Sequence, residues 1–146
     1  MSSPVYDDKN PFAMILRGEI PAHKVYEDND TVAFMDIMPR TDGHCLVIPK
    51  DPSRNLLDAN PQTLAKVIAT VQKVARAAMK AFNADGLQID QYNEAPSGQT
   101  VFHLHFHVLP RYEGVALRPH AGQMADQTVL SEHAEKLRNE LSKLTA

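Results

Sequence analysis

One short stretch of the sequence, HLHFHVL at residues 103–109, constrains the fold of this chain most. Histidine and apolar residues alternate there, and alternate side chains of a β-strand point to opposite faces of a sheet. The pattern predicts a strand whose apolar residues face the core and whose histidines, His103, His105 and His107, share the other face. Such a strand needs a sheet around it and a layer that covers its apolar side.

The remaining patterns predict the other strands and the helices that cover them. Strands rich in β-branched and aromatic residues are expected at residues 24–28, 31–37, 44–50, 87–93 and 101–111. A short helix is expected over 11–18, and the clearest helix begins at Asn60 and Pro61 and carries one apolar face over 64–82. A last helix is expected from about Ser131 onward. The predicted fold class is α+β, with one antiparallel sheet of about five strands.

Length and composition fit one domain. The chain has 146 residues, 43% of them hydrophobic, which is enough for one buried core. We expect residues 1–9 to form a flexible N-terminus and residues 10–146 to form a single domain. A net charge of −3 without a basic block gives no reason to expect a nucleic acid or a membrane as partner. A single cysteine, Cys45, no signal sequence and no long apolar run favour a cytoplasmic location.

The histidine row allows three interpretations: a half-exposed strand that happens to carry histidines, a metal site, or a site for chemistry on a phosphate. Three alternate residues on a straight strand set the outer two too far apart for one ion with bonds of about 2 Å. A histidine can attack phosphorus as a nucleophile while its neighbours move protons near neutral pH. The loop SGQT at 97–100 has exposed N–H groups that suit a phosphate, and its position before the histidines favours the third interpretation.

Several segments resemble the histidine triad (HIT) family. The family signature is His-φ-His-φ-His-φ-φ, where φ is apolar, and HLHFHVL matches it throughout. NPFAMILRGEIPAHKVYED, TVAFMDIMP, GHCLVIPK and NEAPSGQTVFHLHFHVLPRY also resemble the Hint branch and its bacterial relatives, so the likeness covers most of residues 10–112. The resemblance implies a HIT-like sheet and a nucleotide hydrolase or transferase.

The resemblance implies catalytic roles for five residues. His105 is expected to be the nucleophile that attacks the α-phosphorus and forms a nucleotidyl-histidine, which water then hydrolyses. His107 is expected to contact the phosphate and to protonate the leaving group, and His103 is expected to orient the other two. His44 of GHCLVIPK is expected close by. Thr100 stands where many members have serine, and it keeps the hydroxyl.

The resemblance also implies a nucleotide pocket. Asp36 matches the acid that binds the ribose diol, because a carboxylate accepts well from two hydroxyls; without the likeness it would be interpreted as a cap of the turn after a strand. Thr100, Asn93 and Gln99 match the region of phosphate and leaving-group contacts. Four apolar residues match the walls of the base site and would otherwise be ordinary core: Phe12, Ile15, Phe34 and Ile37.

The structural zinc of some relatives is not expected in this chain. Those relatives hold the ion with a Cys-x-x-Cys pair, a histidine after the IPK segment and the first histidine of the triad. The corresponding positions here are Asn10, Ala13 and Pro52, so that only His103 keeps a ligand. We therefore expect no metal and no cofactor.

The predicted function is cleavage of purine nucleoside 5′-phosphoramidates or related nucleoside monophosphate conjugates by a homodimer, as in Hint proteins. Two alternatives stay open: a dinucleoside polyphosphate hydrolase, as in the Fhit branch, and a nucleotide-binding scaffold whose catalysis is incidental. The galactose-1-phosphate uridylyltransferase relatives carry glutamine in place of the third histidine, and His107 argues against them. A metal-binding role is a further alternative, which elemental analysis would decide.

Overall fold

Within the residues that the structure describes, 5–119 and 122–144, five strands form one antiparallel sheet in the order β1-β2-β3-β5-β4. The structure is a computed structural model. The strands are β1 (Lys24–Glu27), β2 (Thr31–Met35), β3 (Cys45–Pro49), β4 (Gly86–Asp90) and β5 (Phe106–Arg111). The helices are α1 (Pro11–Leu16), α2 (Pro61–Ala81) and α3 (Gln127–Leu144). The predicted α+β class with its five strands, short first helix, long helix and last helix is confirmed. None of the helices in these ranges is long and apolar enough to cross a membrane.

Alternate residues of the central strands divide the core into two parts. In β2, Ala33 and Met35 belong to the main core with α2 and α3, whereas Val32 and Phe34 belong to a smaller apolar cluster with α1. Residues of β3 alternate in the same way. Because α1 has only six residues, it covers only part of its face of the sheet. An open apolar recess therefore remains beside α1.

The long helix α2 follows the predicted pattern. The side chain of Asn60 accepts a hydrogen bond from the N–H of Gln62 at 2.8 Å, and Pro61 occupies the first turn, as predicted for the start of the helix. Its buried residues recur at helical spacing and are Val67, Thr70, Val71, Val74, Ala77 and Ala78. Asn83 has a left-handed φ of 47° just after the helix, which turns the chain toward β4.

The histidine strand is shorter than predicted. β5 begins at Phe106 and not at residue 101, so His103 and His105 precede the paired part of the strand. Pairing between β3 and β5 ends where Val47 lies opposite Phe106. Pro49, farther along β3, has no N–H to donate, and its carbonyl accepts from the Nε2 of His103 instead. The predicted alternation still holds, because the apolar residues between the histidines lie in the main core.

The last helix begins at Gln127, earlier than the predicted start at Ser131. Asp126 explains the difference. Its side chain accepts a hydrogen bond from the N–H of Thr128 at 2.8 Å, and its carbonyl accepts from the N–H of Leu130 at 3.0 Å. This is the arrangement of an N-terminal cap, and aspartate is one of the preferred residues there.

The structure describes the N-terminal segment from residue 5 onward. Val5 is exposed, whereas Tyr6 is half-buried and its hydroxyl contacts His103. Asn10 caps α1, since its side-chain oxygen accepts from the N–H of Ala13 at 2.9 Å. The flexibility of residues 1–9 and the single domain over 10–146 stay predictions.

Candidate active site

A cavity of about 340 Å³ lies beside α1, on the face of the sheet that this helix leaves partly open. Its volume and its mostly apolar walls are typical of a small-molecule site. The polar side chains in its wall are Asp36, His44, Thr100, His105 and His107. The apolar walls include all four residues predicted for the base site, Phe12, Ile15, Phe34 and Ile37. The three other predicted site residues, His103, Asn93 and Gln99, lie outside the cavity wall.

His44 and His107 form a hydrogen-bonded pair in the cavity wall. His107 lies on β5 opposite Leu46, and His44 directly precedes β3. The Nε2 of His44 is 2.9 Å from the Nδ1 of His107, and the N–H of Arg40 donates to the Nδ1 of His44 at 3.1 Å. Since Nδ1 of neutral His44 accepts, its proton is on Nε2 and is donated to His107. Neutral His107 then carries its own proton on Nε2.

His105 has the opposite tautomer. Its Nδ1 is 2.7 Å from the main-chain carbonyl of His103, which can only accept, so Nδ1 carries the proton and Nε2 carries the lone pair. The ring of Phe12 meets His105 edge to face, with centroids 4.9 Å apart and an angle of 87°. The ring centroids of His105 and His107 are 5.0 Å apart. The rings of His105 and His107 thus both line the cavity, one with a lone pair on Nε2 and the other with a proton on a buried Nε2.

His103 supports this wall from behind. Its side chain is fully buried, with the Nε2 2.8 Å from the carbonyl of Pro49 and the Nδ1 2.6 Å from the hydroxyl of Tyr6. Burial lowers the pKa of His103, although the hydrogen bond to Pro49 opposes the shift. The interpretation of the row as a half-exposed strand is wrong, because His105 and His107 are also buried.

Asp36 follows β2 and caps the turn after it, which is one of the two interpretations made from the sequence. One carboxylate oxygen accepts from the N–H of Met38 at 2.8 Å, which caps the turn after the strand. The other oxygen lies 3.5 Å from the Nε2 of His44 and the side chain is 19% exposed. The cap therefore holds a carboxylate in the cavity wall, where its position suits the binding of a diol.

The same three polar residues also have the spacing of a metal site. One donor atom from each of Asp36, His44 and His107 lies within 4.8 Å of the other two. A metal on Nε2 of His44 would move the ring proton to Nδ1. The N–H of Arg40 points at that Nδ1, so two donors would then face each other. The hydrogen-bonded pair therefore fits these residues better than a metal ion does.

Three of the four residues predicted for the base site are also core residues. Phe12, Ile15 and Phe34 are at least nine-tenths buried and belong to the smaller apolar cluster, whereas Ile37 is 42% exposed. The cluster packs against one side of these side chains, and the cavity lies against another. Phe12, Ile15 and Phe34 are therefore core residues that also line the cavity, and their contact with a base stays a prediction.

The loop before β5 brings Thr100 to the cavity but uses Gln99 internally. The side-chain oxygen of Gln99 accepts from the N–H of Glu94 and from the side chain of Asn55, and its NH₂ group donates to two main-chain carbonyls. The predicted contact of this side chain with substrate does not match these bonds, because they satisfy both ends of the amide. Gln99 instead holds the shape of the loop.

Asn93 and Glu94 complete the framework of this loop. The side-chain oxygen of Asn93 accepts from the N–H of Leu56 at 2.9 Å, which ties the loop to the segment after β3. Glu94 has a φ of 73°, a left-handed value that is rare for residues other than glycine. Arg54 donates two hydrogen bonds of 2.8 Å to its carboxylate and stabilises this conformation. No sequence pattern singled out Arg54 or Glu94.

Comparison with known proteins identifies the family. A sequence profile of the HIT domain matches residues 17–114. The chain belongs to the HIT family. An uncharacterized HIT-like protein of Mycobacterium tuberculosis is 42% identical to it over 113 residues, which are 77% of this chain and 78% of the relative. Adenylylsulfatase HINT3 of Arabidopsis thaliana is 34% identical over 135 residues, which are 92% of this chain and 65% of the relative.

Solved HIT structures share the fold. A Hit-like protein from Bartonella henselae, involved in cell-cycle regulation, is 54% identical with a TM-score of 0.88, and the match covers 93% of this chain and 99% of that one. A Zn-bound histidine triad family protein from Mycobacterium smegmatis is 38% identical with a TM-score of 0.83, and the match covers 94% and 96% of the two chains. Our HIT protein is thus a nucleotide-binding hydrolase or transferase.

The zinc ligand positions of metal-bearing HIT proteins do not fit an ion here. Asn10 uses its side-chain oxygen to cap α1, and its bonding partner is the N–H of Ala13, the position of the second cysteine. Pro52, the position of the histidine after IPK, offers no side-chain donor atom. His103 has a nitrogen that could bind zinc, but its Nδ1 accepts a hydrogen bond from the hydroxyl of Tyr6. Three of the four positions therefore lack a side chain that zinc prefers, and the fourth is engaged.

Sequence reasoning missed the partners that fix the tautomers. Arg40 acts on His44 through its main-chain N–H, a group that every residue except proline has. Pro49 acts on His103 through its main-chain carbonyl, a group that every residue has. Tyr6 acts through its side chain but is far away in sequence. The first two leave no signal in a sequence. The third becomes visible only when the fold brings residue 6 beside residue 103.

Proposed function

We propose that this HIT protein cleaves purine nucleoside 5′-phosphoramidates, or related conjugates of a nucleoside monophosphate, through a covalent nucleotidyl-histidine. One observation carries the proposal. His105 and His107 line the same cavity with complementary hydrogen bonds, which assign a lone pair to the Nε2 of His105 and a proton to the Nε2 of His107. A nucleophile and a proton donor are the groups that displacement at phosphorus requires.

The cavity suits a nucleoside monophosphate. The side chains of Phe12 and Phe34 meet at 76° with centroids 5.3 Å apart and offer an apolar wall to a purine. Asp36 accepts hydrogen bonds from the ribose hydroxyls. Thr100, beside the histidines in the same wall, donates its hydroxyl to the phosphate.

The first chemical step forms one bond to phosphorus and breaks another. The Nε2 of His105 attacks the α-phosphorus while the bond from phosphorus to the leaving group breaks. In the substrate complex the His44–His107 pair takes up one proton. His107 then carries a proton on both nitrogens and donates from Nδ1 to the Nε2 of His44, whose own proton lies on Nδ1 in place of the hydrogen bond from Arg40. His107 delivers its Nε2 proton to the leaving group. Asp36, 3.5 Å from His44, offsets the positive charge of that pair.

The second step restores the enzyme. Water attacks the phosphorus and gives a proton to the His44–His107 pair, while the P–N bond to His105 breaks. The nucleoside monophosphate then leaves. Its phosphate carried the negative charge that balanced the added proton of the His44–His107 pair. The pair then loses the added proton, and the hydrogen bonds of His44 with Arg40 and of His105 with the carbonyl of His103 again set the neutral tautomers.

Relatives widen the range of conjugates to be tested. HINT3 carries the name adenylylsulfatase, so adenylyl sulfate is a second candidate conjugate with a different leaving group. Dinucleoside polyphosphate hydrolysis stays an alternative, and comparing the turnover of diadenosine polyphosphates with that of adenosine phosphoramidate separates the two. A nucleotide-binding scaffold is the alternative outside enzymes. It would require that replacing His105 leave the cellular role intact.

We also propose that the protein acts as a homodimer in the cytoplasm, without a metal, a cofactor, a nucleic acid or a membrane partner. Two exposed apolar side chains agree with a protein partner: Ile89 on the edge strand β4 is 41% exposed and Ile68 on α2 is 50% exposed. Light scattering tests the dimer, and elemental analysis of the purified protein tests the absence of metal. A monomer or a stoichiometric metal would contradict these expectations.

The deciding experiment is intact-protein mass spectrometry after brief mixing with adenosine phosphoramidate. We expect a transient mass increase of one adenylyl group in the wild type and none in His105→Ala. His23→Ala is the matched control, because His23 bonds to Gln127 at the surface, and it should form the adduct as the wild type does. If the adduct is too short-lived to trap, rapid-quench measurement of product formation detects the turnover. Bound nucleotide without adduct or turnover would refute the enzymatic proposal.

A further inference from the structure

One residue of the N-terminal segment joins the histidine network. Tyr6 precedes α1, yet its hydroxyl lies 2.6 Å from the Nδ1 of His103. The two rings meet at 66° with centroids 5.6 Å apart. Tyr6 is not among the residues that line the cavity, and its hydrogen bond and ring contact with the row are both with His103. Its position is therefore suited to supporting the site and not to contacting a nucleotide.

The direction of this hydrogen bond follows from its surroundings. The carbonyl of Pro49 can only accept, so the proton of neutral His103 is on Nε2 and the Nδ1 accepts from Tyr6. Burial raises the pKa of the Tyr6 phenol, although a hydrogen bond with the side chain of Asn10 opposes the shift. The hydroxyl thus keeps its proton at neutral pH and remains a donor.

His103 transmits this contact to the proposed nucleophile. Its ring is held at one nitrogen by Tyr6 and at the other by Pro49. The main-chain carbonyl of the same residue accepts the proton of His105 Nδ1 at 2.7 Å. A ring fixed at both nitrogens fixes the residue that carries this carbonyl, and the carbonyl fixes the tautomer and the direction of His105.

We propose that Tyr6 is a positioning residue, whose hydroxyl orients His105 for attack by holding His103. The kinetic part of this inference rests on the proposed function, whereas the structural part does not. Metal-bearing HIT proteins are expected to bind zinc through their first triad histidine, and here the ligand positions do not fit the ion. The Tyr6 hydroxyl occupies the Nδ1 of His103, so this nitrogen is held by a hydrogen bond.

The test compares Tyr6→Phe with Tyr26→Phe. Tyr26→Phe is a matched control, because the Tyr26 hydroxyl also donates to a side chain, that of Asp28 at 2.9 Å, but lies away from the cavity. For Tyr6→Phe we expect kcat for adenosine phosphoramidate to fall about 3- to 10-fold, the loss that one hydrogen bond would produce. KM should stay within twofold, roughly, because Tyr6 touches no part of the cavity.

A second readout needs no activity. In nitrogen-15 spectra of histidine-labelled protein, the Nδ1 of His103 should show the signal of a hydrogen-bonded acceptor in the wild type. In Tyr6→Phe it should move downfield, toward the value of an acceptor without a donor, while Tyr26→Phe leaves it unchanged. Circular dichroism and the thermal midpoint establish that both variants are folded.

Each outcome decides the inference. A fall in kcat with the shifted Nδ1 signal supports a positioning role. A shifted signal with unchanged kcat leaves Tyr6 as a structural contact only and overturns the proposal. An unshifted signal overturns the hydrogen bond itself. If the wild type turns over none of the proposed conjugates, the proposed function fails, and the direction of the Nδ1 shift still decides whether Tyr6 holds His103.

Discussion

At the scale of single residues, main-chain atoms decide where the protons of the site reside. The N–H of Arg40 forces the proton of His44 onto Nε2, and this proton in turn forces that of His107 onto its Nε2. The carbonyl of His103 has the reverse effect on His105. Two imidazoles with the same intrinsic chemistry thereby differ in the proton on Nε2, which fits the proposed nucleophile, His105, and the proposed proton donor, His107.

His44 is therefore expected to matter most where the leaving group needs a proton. We expect His44→Leu to lower kcat at least about tenfold for a phosphoramidate of a basic alkylamine, since general acid catalysis contributes about 100- to 10,000-fold. The loss should be several-fold smaller for a conjugate with an acidic leaving group, which departs as an anion. His44→Asn retains a donor toward His107 and should recover part of the rate. Steady-state kinetics with both substrates measures this, and equal losses on both would contradict the proton-delivery role of His44.

At the scale of elements, the turn between β2 and β3 places Gly43 against Phe82, the residue directly after α2. Gly43 has a φ of +87°, and a Cβ at this position would lie 2.5 Å from the ring of Phe82. The close approach of Gly43 to Phe82 thus requires glycine for two reasons, backbone conformation and space. Asp-Gly is a common turn sequence, so the Asp42-Gly43 pair is a local signal for this turn, but the contact with Phe82 has none.

A comparison of two glycines separates these reasons. Gly18 also has a left-handed φ, +77°, but a Cβ there would meet nothing within 4 Å. We expect Gly18→Ala to lower the free energy of unfolding by about 1 kcal/mol through the backbone alone. Gly43→Ala adds the collision with Phe82 and should cost about 2–4 kcal/mol. Urea unfolding measures both, and equal losses would show that the ring moves aside without cost.

Element identity was predictable wherever the periodicity was long, and element ends were not. The apolar face of α2 and the Asn60 cap lie within one stretch of sequence and required no tertiary information. The start of β5 depends on a proline in another strand, Pro49, which ends the pairing early. The start of α3 had a local signal in Asp126, the cap that went unrecognised.

At the scale of the whole molecule, the site depends on the two-sided sheet. Local alternation brings His105 and His107 to one face, and the resemblance supplies Asp36 and the residues predicted for the base walls. All of these line one cavity, whereas His103 lies behind its wall. The hydrogen bonds of the Gln99 side chain join residues 94–101 to residues 54–55. The hydrogen bond from Tyr6 joins residue 6 to residue 103. Contacts of this kind are products of the assembled fold, so no local pattern in the chain encodes them.

A whole-molecule prediction concerns stabilisation by ligand. AMP at a hundred times its dissociation constant should stabilise the folded protein by about 2.7 kcal/mol and raise Tm by roughly 5–10 °C. 2′-Deoxy-AMP at the same concentration should raise it less, because Asp36 loses one hydroxyl partner. In Asp36→Asn, which keeps an oxygen for the cap on Met38, the two nucleotides should give nearly equal shifts. Differential scanning fluorimetry measures the four shifts. A 2′-hydroxyl effect that persists in the variant would remove Asp36 from ribose binding.

The short helix α1 limits how stable this chain can become. Phe12, Ile15 and Phe34 form a hydrophobic cluster that is left open on the side of the cavity. Larger side chains that filled the 340 Å³ would bury more apolar surface and raise the melting temperature. They would also occupy the space that a purine needs. Selection for thermostability alone is therefore expected to yield variants that are more stable but inactive. Directed evolution of this protein would need a simultaneous screen for turnover.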